Sequence, residues 1–375
     1  MEEEFLKAVI DQDVDAVHKY LSLHRNARPE NIDLDIDTAV LEAAKLGNSD
    51  IVGLLLDCPK RPNLRLSDEN GRRALHHAAE NGNVDVAKLI VGAGATLNWA
   101  DNGGFQPLHI ACINGHVAMI EFLISRGAHV NSGRTYNEGG TALHLAVESQ
   151  NLGAVEAILK SKRANIDAKT SSQKEALTPL HKAVKCKFAA CVELLCSRGA
   201  YVNATDIENR IPLHFAAQND DTDILRCLIR YGADLEYCDN NGKRAIHYAV
   251  YGQSCENVKC LIQHGVDVNA PDDVGFTPLY GAVLVQNSDI TSALLAAGSN
   301  PNAKAKNPRH DTCLLMASSL NNATIIEKLI EYGADATEKN VNNATVLHKC
   351  MKLKRGEKRD RVVRMLIEAG AILML

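Results

Sequence analysis

Aromatic residues make up only 4% of a 375-residue chain that is 46% apolar, so any core must be filled by Ala, Leu, Ile and Val. Side chains of that size suit closely packed short helices better than a sandwich or barrel. No apolar run approaches the roughly 18 to 20 residues of a membrane span, and the opening MEEEFLKAVI is acidic where a secretory leader would be basic. Both observations point to the cytosol or nucleus. Basic residues are in deficit, for a formal charge of -5, which argues against general nucleic-acid affinity. The eleven cysteines include no CxxC pair and read, in a reducing compartment, as small buried thiols. Cys186, Cys191 and Cys196 recur every five residues, which scatters them around a helix and its preceding turn and makes them packing residues.

Catalytic apparatus is missing as well. There is no GxxxxGK[ST], no GxGxxG after a strand, no GxSxG and no HExxH, so phosphate cradling, dinucleotide binding and nucleophilic hydrolysis lack their minimal residues. No catalytic, cofactor-binding or metal-binding residue is assigned, and the chain is not expected to be an enzyme.

Repetition fills the space that these absences leave. The segments RALHHAA (73 to 79), QPLHIAC (106 to 112), TALHLAV (141 to 147), TPLHKAV (178 to 184), IPLHFAA (211 to 217) and RAIHYAV (244 to 250) share one pattern. TPLYGAV (277 to 283), TCLLMAS (312 to 318) and TVLHKCM (345 to 351) continue it, and TAVLEAA (38 to 44) is a degenerate first copy. Starts at 38, 73, 106, 141, 178, 211, 244, 277, 312 and 345 are 33 to 37 residues apart.

Each copy encodes a pair of helices. Thr178 can cap a helix and Pro179 suits its first turn; Leu180, Ala183 and Val184 come next at helical spacing. A second segment supplies Val192, Leu194 and Leu195 before Gly199 ends it. Between pairs, stretches such as GADLEYCDNNGKR (232 to 244) carry the Asp, Asn and Gly of a tight turn. One pair cannot bury both faces, whereas stacked neighbours can.

Period and motif together resemble the ankyrin repeat over nearly the whole chain. The resemblance implies an all-α solenoid of stacked helix pairs with projecting β-hairpin fingers, ten repeats over residues 38–375 behind an N-terminal capping half-repeat at 1–37. At about 8–10 Å per layer, ten copies make a curved rod on the order of 80 to 100 Å long. The apolar tail Leu373, Met374 and Leu375 reads as an end cut from something longer.

The resemblance further implies a monomeric scaffold or adaptor that binds a protein partner through its concave groove and fingers, without a cofactor. Related architectures include ubiquitin-ligase adaptors with a SOCS box, and regulatory arms of kinases or channels. The histidines at 76, 109, 144, 181, 214, 247 and 348 stand one per repeat, a layer apart; in such repeats they bond backbone, and no zinc site is expected.

Interfaces favour aromatic and arginine anchors. At finger or groove positions the candidates are Trp99, Phe105, Arg134, Tyr136, Arg210, Tyr251 and Phe276, with Trp99 standing where the family pattern has a small residue. Extra residues lengthen the fingers at 131 to 140, 167 to 176 and 304 to 311. Charge is uneven: residues 1–70 hold 15 acidic and 8 basic side chains, and 303–375 hold 8 and 13. A secondary basic patch falls at Lys352, Lys354, Arg355, Lys358 and Arg359, in a loop expected to be solvated. The resemblance also implies possible hydroxylation by an oxygen-sensing asparaginyl hydroxylase at Asn131, Asn203 and Asn269, each eight residues after a leucine.

Overall fold

The structure is a computed structural model; it describes residues 2–24, 34–133, 139–171, 175–304, 311–340, 342–351 and 356–371. The chain divides into two compact units, Met1–Cys191 and Val192–Leu375. Among the described residues every regular element is an α-helix.

In the first unit the helices Glu2–Ile10 and Val14–Leu23 precede the motif-bearing pairs. These are Ile36–Leu46 with Ser49–Leu56, Ala74–Asn81 with Val84–Gly92, Pro107–Ile113 with Val117–Ser125, and Ala142–Glu148 with Leu152–Lys160. Pro179–Lys185 comes after them. The second unit holds Pro212–Gln218 with Thr222–Arg230, Ala245–Tyr251 with Cys255–Gln263, Pro278–Leu284 with Ser288–Ala296, Cys313–Leu320 with Ala323–Glu331, and Val346–Met351 with Glu357–Glu368. Within each unit, first helices pack on first helices and second helices on second. Leu143, Ala146 and Val147 in one unit and Leu213, Ala216 and Ala217 in the other are fully or almost fully buried. The alanines let neighbouring backbones approach, and the leucine beside them fills the gap.

The histidine of the motif ties the first helix to a carbonyl in the next finger. Nδ1 of His76 accepts the Arg73 N–H at 3.1 Å, and its Nε2 donates to the Trp99 carbonyl at 3.0 Å. His109, His144, His214 and His247 repeat the arrangement on the carbonyls of Ser132, Leu177, Tyr237 and Phe276. An imidazole that accepts on one nitrogen and donates on the other must be neutral. Burial accordingly lowers His76 and His144 to about 4.

The second helices are capped mostly by Asn or Asp. Asn83 Oδ1 accepts the Val86 N–H at 3.0 Å while its Nδ2 reaches back 36 residues to the Gly47 carbonyl at 2.6 Å. Asn151 does the same for Ala154 and for the Gly115 carbonyl. Gly115 has φ +70°, and a Cβ there would stand 2.2 Å from Asn151 Nδ2. Gln150, at the equivalent place one repeat later, takes the same left-handed conformation at φ 53° despite its side chain. Gly115→Ala is therefore expected to cost roughly 1–3 kcal/mol, from the left-handed strain and the displaced cap; an unchanged urea midpoint would contradict this.

One core position carries a carboxamide that bonds across to the preceding repeat. Asn257, fully buried where other repeats have Val86 or Ile224, gives its Nδ2 to the carbonyls of Ala216 and Ala217 at 3.1 and 3.2 Å. The helix Pro212–Gln218 ends on Asn219 in extended conformation, without a left-handed cap, so its last carbonyls need this donor.

The projecting fingers are tight hairpin turns that carry no strand among the described residues. In the loops at 68–72, 101–105, 206–210, 239–243 and 272–276 two backbone bonds close the turn, as from the Asp239 N–H to the Lys243 carbonyl at 2.9 Å and from the Gly242 N–H to the Asp239 carbonyl at 3.1 Å. Asp239 Oδ1 then accepts from the N–H groups of Asn241 and Lys243, both at 2.8 Å. The carboxylate takes the donors that a ladder would use, which leaves an Asp-centred turn without strand pairing. Neighbouring loops share one backbone bond, from Asn240 N–H to the Glu208 carbonyl and from Asp273 N–H to the Asn241 carbonyl, both at 3.0 Å, and Asn240 Nδ2 adds a bond to the Ile207 carbonyl at 3.2 Å.

Candidate functional site

In the first unit, Trp99 is about half exposed, and the Arg73 guanidinium lies 3.6 Å from its ring centroid. Arg73 is itself buried and donates to Thr96 Oγ1 at 3.2 Å. The ring's one covered face is thus used within the repeat, an interaction of about 1–2 kcal/mol when partly desolvated. Phe105 is half-buried and its N–H closes the turn on Asp101 Oδ1 at 2.8 Å. Around these two the surface is ionic: Arg72 pairs with Glu80 at 2.9 Å and Asp101 at 3.3 Å, and His77 lies 3.1 Å from Asp68. Arg134 and Tyr136 lie outside the described residues.

The second unit brings the remaining three candidates onto successive repeats of one face, together with aromatics that composition did not single out. Arg210 is held by Asp206 at 2.8 Å and Glu208 at 3.0 Å, with its guanidinium 4.6 Å from the Phe215 ring centroid. One repeat on, Tyr248 donates to Asp239 Oδ2 at 2.7 Å, and its ring meets His214 edge-on at 5.1 Å. Burial and the Asp239 carboxylate push the Tyr248 phenol upward; Asp239 is held below its usual range, the Tyr248 hydroxyl and backbone N–H groups outweighing its burial. Lys243 Nζ stands 5.0 Å over the Tyr251 ring.

A third repeat completes the face. Phe276 stacks on Tyr280 with centroids 4.6 Å apart and planes 10° from parallel. Tyr280 occupies the place of the motif histidine, and Gly281 comes after it where other repeats have Phe215 or Tyr248. A Cβ on Gly281 would stand 3.3 Å from Val250 Cγ1 and 3.7 Å from Tyr251 ring atoms, so the glycine lies directly against both side chains. Arg210, Phe215, Tyr248, Tyr251 and Phe276 are all half-buried, each with an edge open to solvent.

Phe215 and Tyr248 went unpredicted although a signal exists. Both stand directly after the motif histidine, a position that runs His77, Ile110, Leu145 and Lys182 through the first unit and varies because the stack does not determine it.

The basic patch is only partly visible. Lys352, Lys354 and Arg355 lie outside the described residues, as does the Lys358 side chain. Arg359 departs from the solvated loop expected for it: it is 8% exposed, on the helix Glu357–Glu368, with Nη2 3.0 Å from Met351 Sδ. Asn131, Asn203 and Asn269 each use both ends of the carboxamide. Asn269, for example, donates to the Gly298 carbonyl at 3.2 Å and accepts the Asn300 N–H at 2.7 Å. Among the described residues no group of three or more His, Cys, Asp or Glu is placed to hold a metal, and no helix is long and apolar enough to cross a membrane.

Comparison with known proteins fits this geometry. A family model described as ankyrin repeats in three copies matches residues 5–101, 40–134, 89–170, 132–206, 213–305 and 279–374. The crystal structure of the ankyrin repeat domain of Bcl-3, described as a unique member of the IkappaB protein family, aligns at 30% identity and TM-score 0.53, covering 61% of this chain and all of that one. The human ASB11 ankyrin repeat domain aligns at 24% identity and TM-score 0.49, covering 70% of this chain and 98% of that one.

Proposed function

Because the chain belongs to the ankyrin-repeat family, whose repeats generally mediate protein–protein interaction, we propose that it is a non-catalytic adaptor of the cytosol or nucleus. Its first-helix face in the unit Val192–Leu375 grips a partner polypeptide. The observation that carries this reading is the set of half-buried aromatics, Phe215, Tyr248, Tyr251 and Phe276, at positions where other repeats of the same chain have Lys182, Gln218 or Lys243. Aromatic rings and arginines anchor interfaces, since they bury much area at little entropic cost. Arg210 and Lys243 already sit over two of the rings, so the anchors are held in place before a partner arrives, and little ordering remains to be done on binding.

Trp99 is a second contact under the same proposal, in the first unit. The hydroxylation at Asn131, Asn203 and Asn269 also belongs here. Because each carboxamide is engaged at both ends, a hydroxylase would have to open the turn locally to reach Cβ.

The test is affinity capture from cells with the native chain and with a variant carrying Arg210→Ala, Tyr251→Ala and Phe276→Ala, after circular dichroism melts show that both fold. Specific capture is expected to fall roughly tenfold or more, the equivalent of losing ~1.4 kcal/mol or more of anchoring. Equal capture of the same set would remove this face from consideration. Loss on Trp99→Ala alone would move the site to the first unit.

A further inference from the structure

The unit Val192–Leu375 carries a second cluster of reactive side chains, on its second helices and unused by the proposed binding face. Glu193 and Cys196 belong to the helix Ala189–Ser197; Cys227 and Arg230 belong to Thr222–Arg230, and Tyr231 is the next residue. The Cys227 thiol donates to Glu193 Oε2 at 3.2 Å, and Arg230 Nη2 is 3.9 Å from the same sulfur. Arg230 also pairs with Glu193, and Tyr231 Oη donates to Glu193 Oε1 at 2.7 Å. Cys196 stands one turn on from Glu193 along the same helix, beside Cys227 and close enough for the two thiols to interact. Cys196 is 6% exposed, whereas Cys227 is only half-buried and open to a small reagent.

We propose that Cys196 and Cys227 form a peroxide-reactive dithiol, in which Cys227 attacks and Cys196 resolves. Glu193 takes the Cys227 proton as the sulfur attacks the peroxide. The O–O bond breaks, the sulfur gains one oxygen as a sulfenic acid, and the departing alkoxide or hydroxide is protonated from Glu193. The Cys196 sulfur then displaces water from the sulfenic acid. Two thiols and one peroxide thus yield one disulfide, one alcohol or water, and one further water.

Arg230 stabilises charge on the sulfur and, with Tyr231, keeps the Glu193 carboxylate from repelling it. The neighbouring Cys196 holds the Cys227 thiol below its ordinary range, against burial and Glu193, and Cys227 together with burial raises Cys196. Elsewhere burial, joined at Cys191 by the nearby Cys186, pushes Cys191 and Cys313 up to about 12, which leaves those thiols inert.

The experiment treats the reduced full chain with equimolar hydrogen peroxide, quenches with N-ethylmaleimide and maps tryptic peptides. Expected is a peptide 188–198 joined to 227–230 with a loss of about 2 Da. It should form roughly tenfold faster than half-buried Cys238 or Cys255 is modified. In Cys196→Ser, dimedone should label Cys227, and Glu193→Gln should slow oxidation without altering the melt. The proposal is overturned if Cys227 is still alkylated when Cys238 is oxidised, if the bond runs to Cys191, or if the native chain stops at a dimedone adduct. Should Cys196→Ser fail to fold, the native peptide map alone decides.

Discussion

Replacing Leu213 with alanine is expected to lower the stability of the unit Val192–Leu375 by roughly 2–5 kcal/mol, one of the two largest effects anticipated from a single side chain. The leucine is fully buried on the helix Pro212–Gln218, beside Ala216 and Ala217, which are also buried. Those neighbours are too small to move into the space a leucine leaves, and the helix is pinned at both ends. His214 Nδ1 holds the Ile211 N–H at 3.0 Å, and Asn257 holds the carbonyls of Ala216 and Ala217. A site that cannot collapse retains its cavity, which puts the loss toward the upper part of the range. Urea unfolding followed by helical circular dichroism measures it. A loss below about 1 kcal/mol would mean that this leucine is not in the core that the repeat register assigns to it.

Mild acid is expected to weaken the unit Met1–Cys191 steeply, through His76 and His144. Both are neutral in the fold and lowered by burial to about 4, against roughly 6.5 in the unfolded chain. A depressed histidine leaves the unfolded state binding more protons between these values, so the contribution is complete above pH ~6.5 and declines as pH falls toward ~4. From pH 7.5 to 5.0 each residue should remove roughly 2 kcal/mol. Carboxylates contribute little in that interval, since they titrate lower. The check is a pair of urea titrations at the two pH values on the native chain and on His144→Gln, which keeps a donor and an acceptor but cannot titrate. Identical pH slopes for the two would exclude the histidine as the cause.

What could be read beforehand was whatever the repeat imposes again and again. The pairing of short helices comes from Leu180, Ala183 and Val184 at helical spacing, and the first-helix cap comes from Thr178 at the head of the motif. Features that occur once were opaque, because no periodicity announces them. Asn257 resembles any polar residue in a helix until Asn219 is seen to leave carbonyls uncapped. Tyr280 and Gly281 look like a decayed motif until Phe276 and Tyr251 are found packed against them. Cys227 gives no hint of Cys196, a full repeat earlier, since only stacking brings them together. The Asp-centred turns were legible as turns, yet not as turns without strands, since the difference lies in where Asp239 sends its carboxylate.

The asparagines that cap the second helices have a consequence for how such a chain changes over generations. Asn83 satisfies its own repeat through Oδ1 and the previous one through Nδ2, so one codon serves two units. Recombination that exchanges whole repeats would carry half of each such contact into a new setting, and the transplanted unit would be accepted only where its new neighbour offers a carbonyl at the same height. Duplication in register meets that condition automatically. Variation between copies is then free to accumulate at positions such as Phe215 and Tyr248, whose identity the stacking of one repeat on the next leaves open.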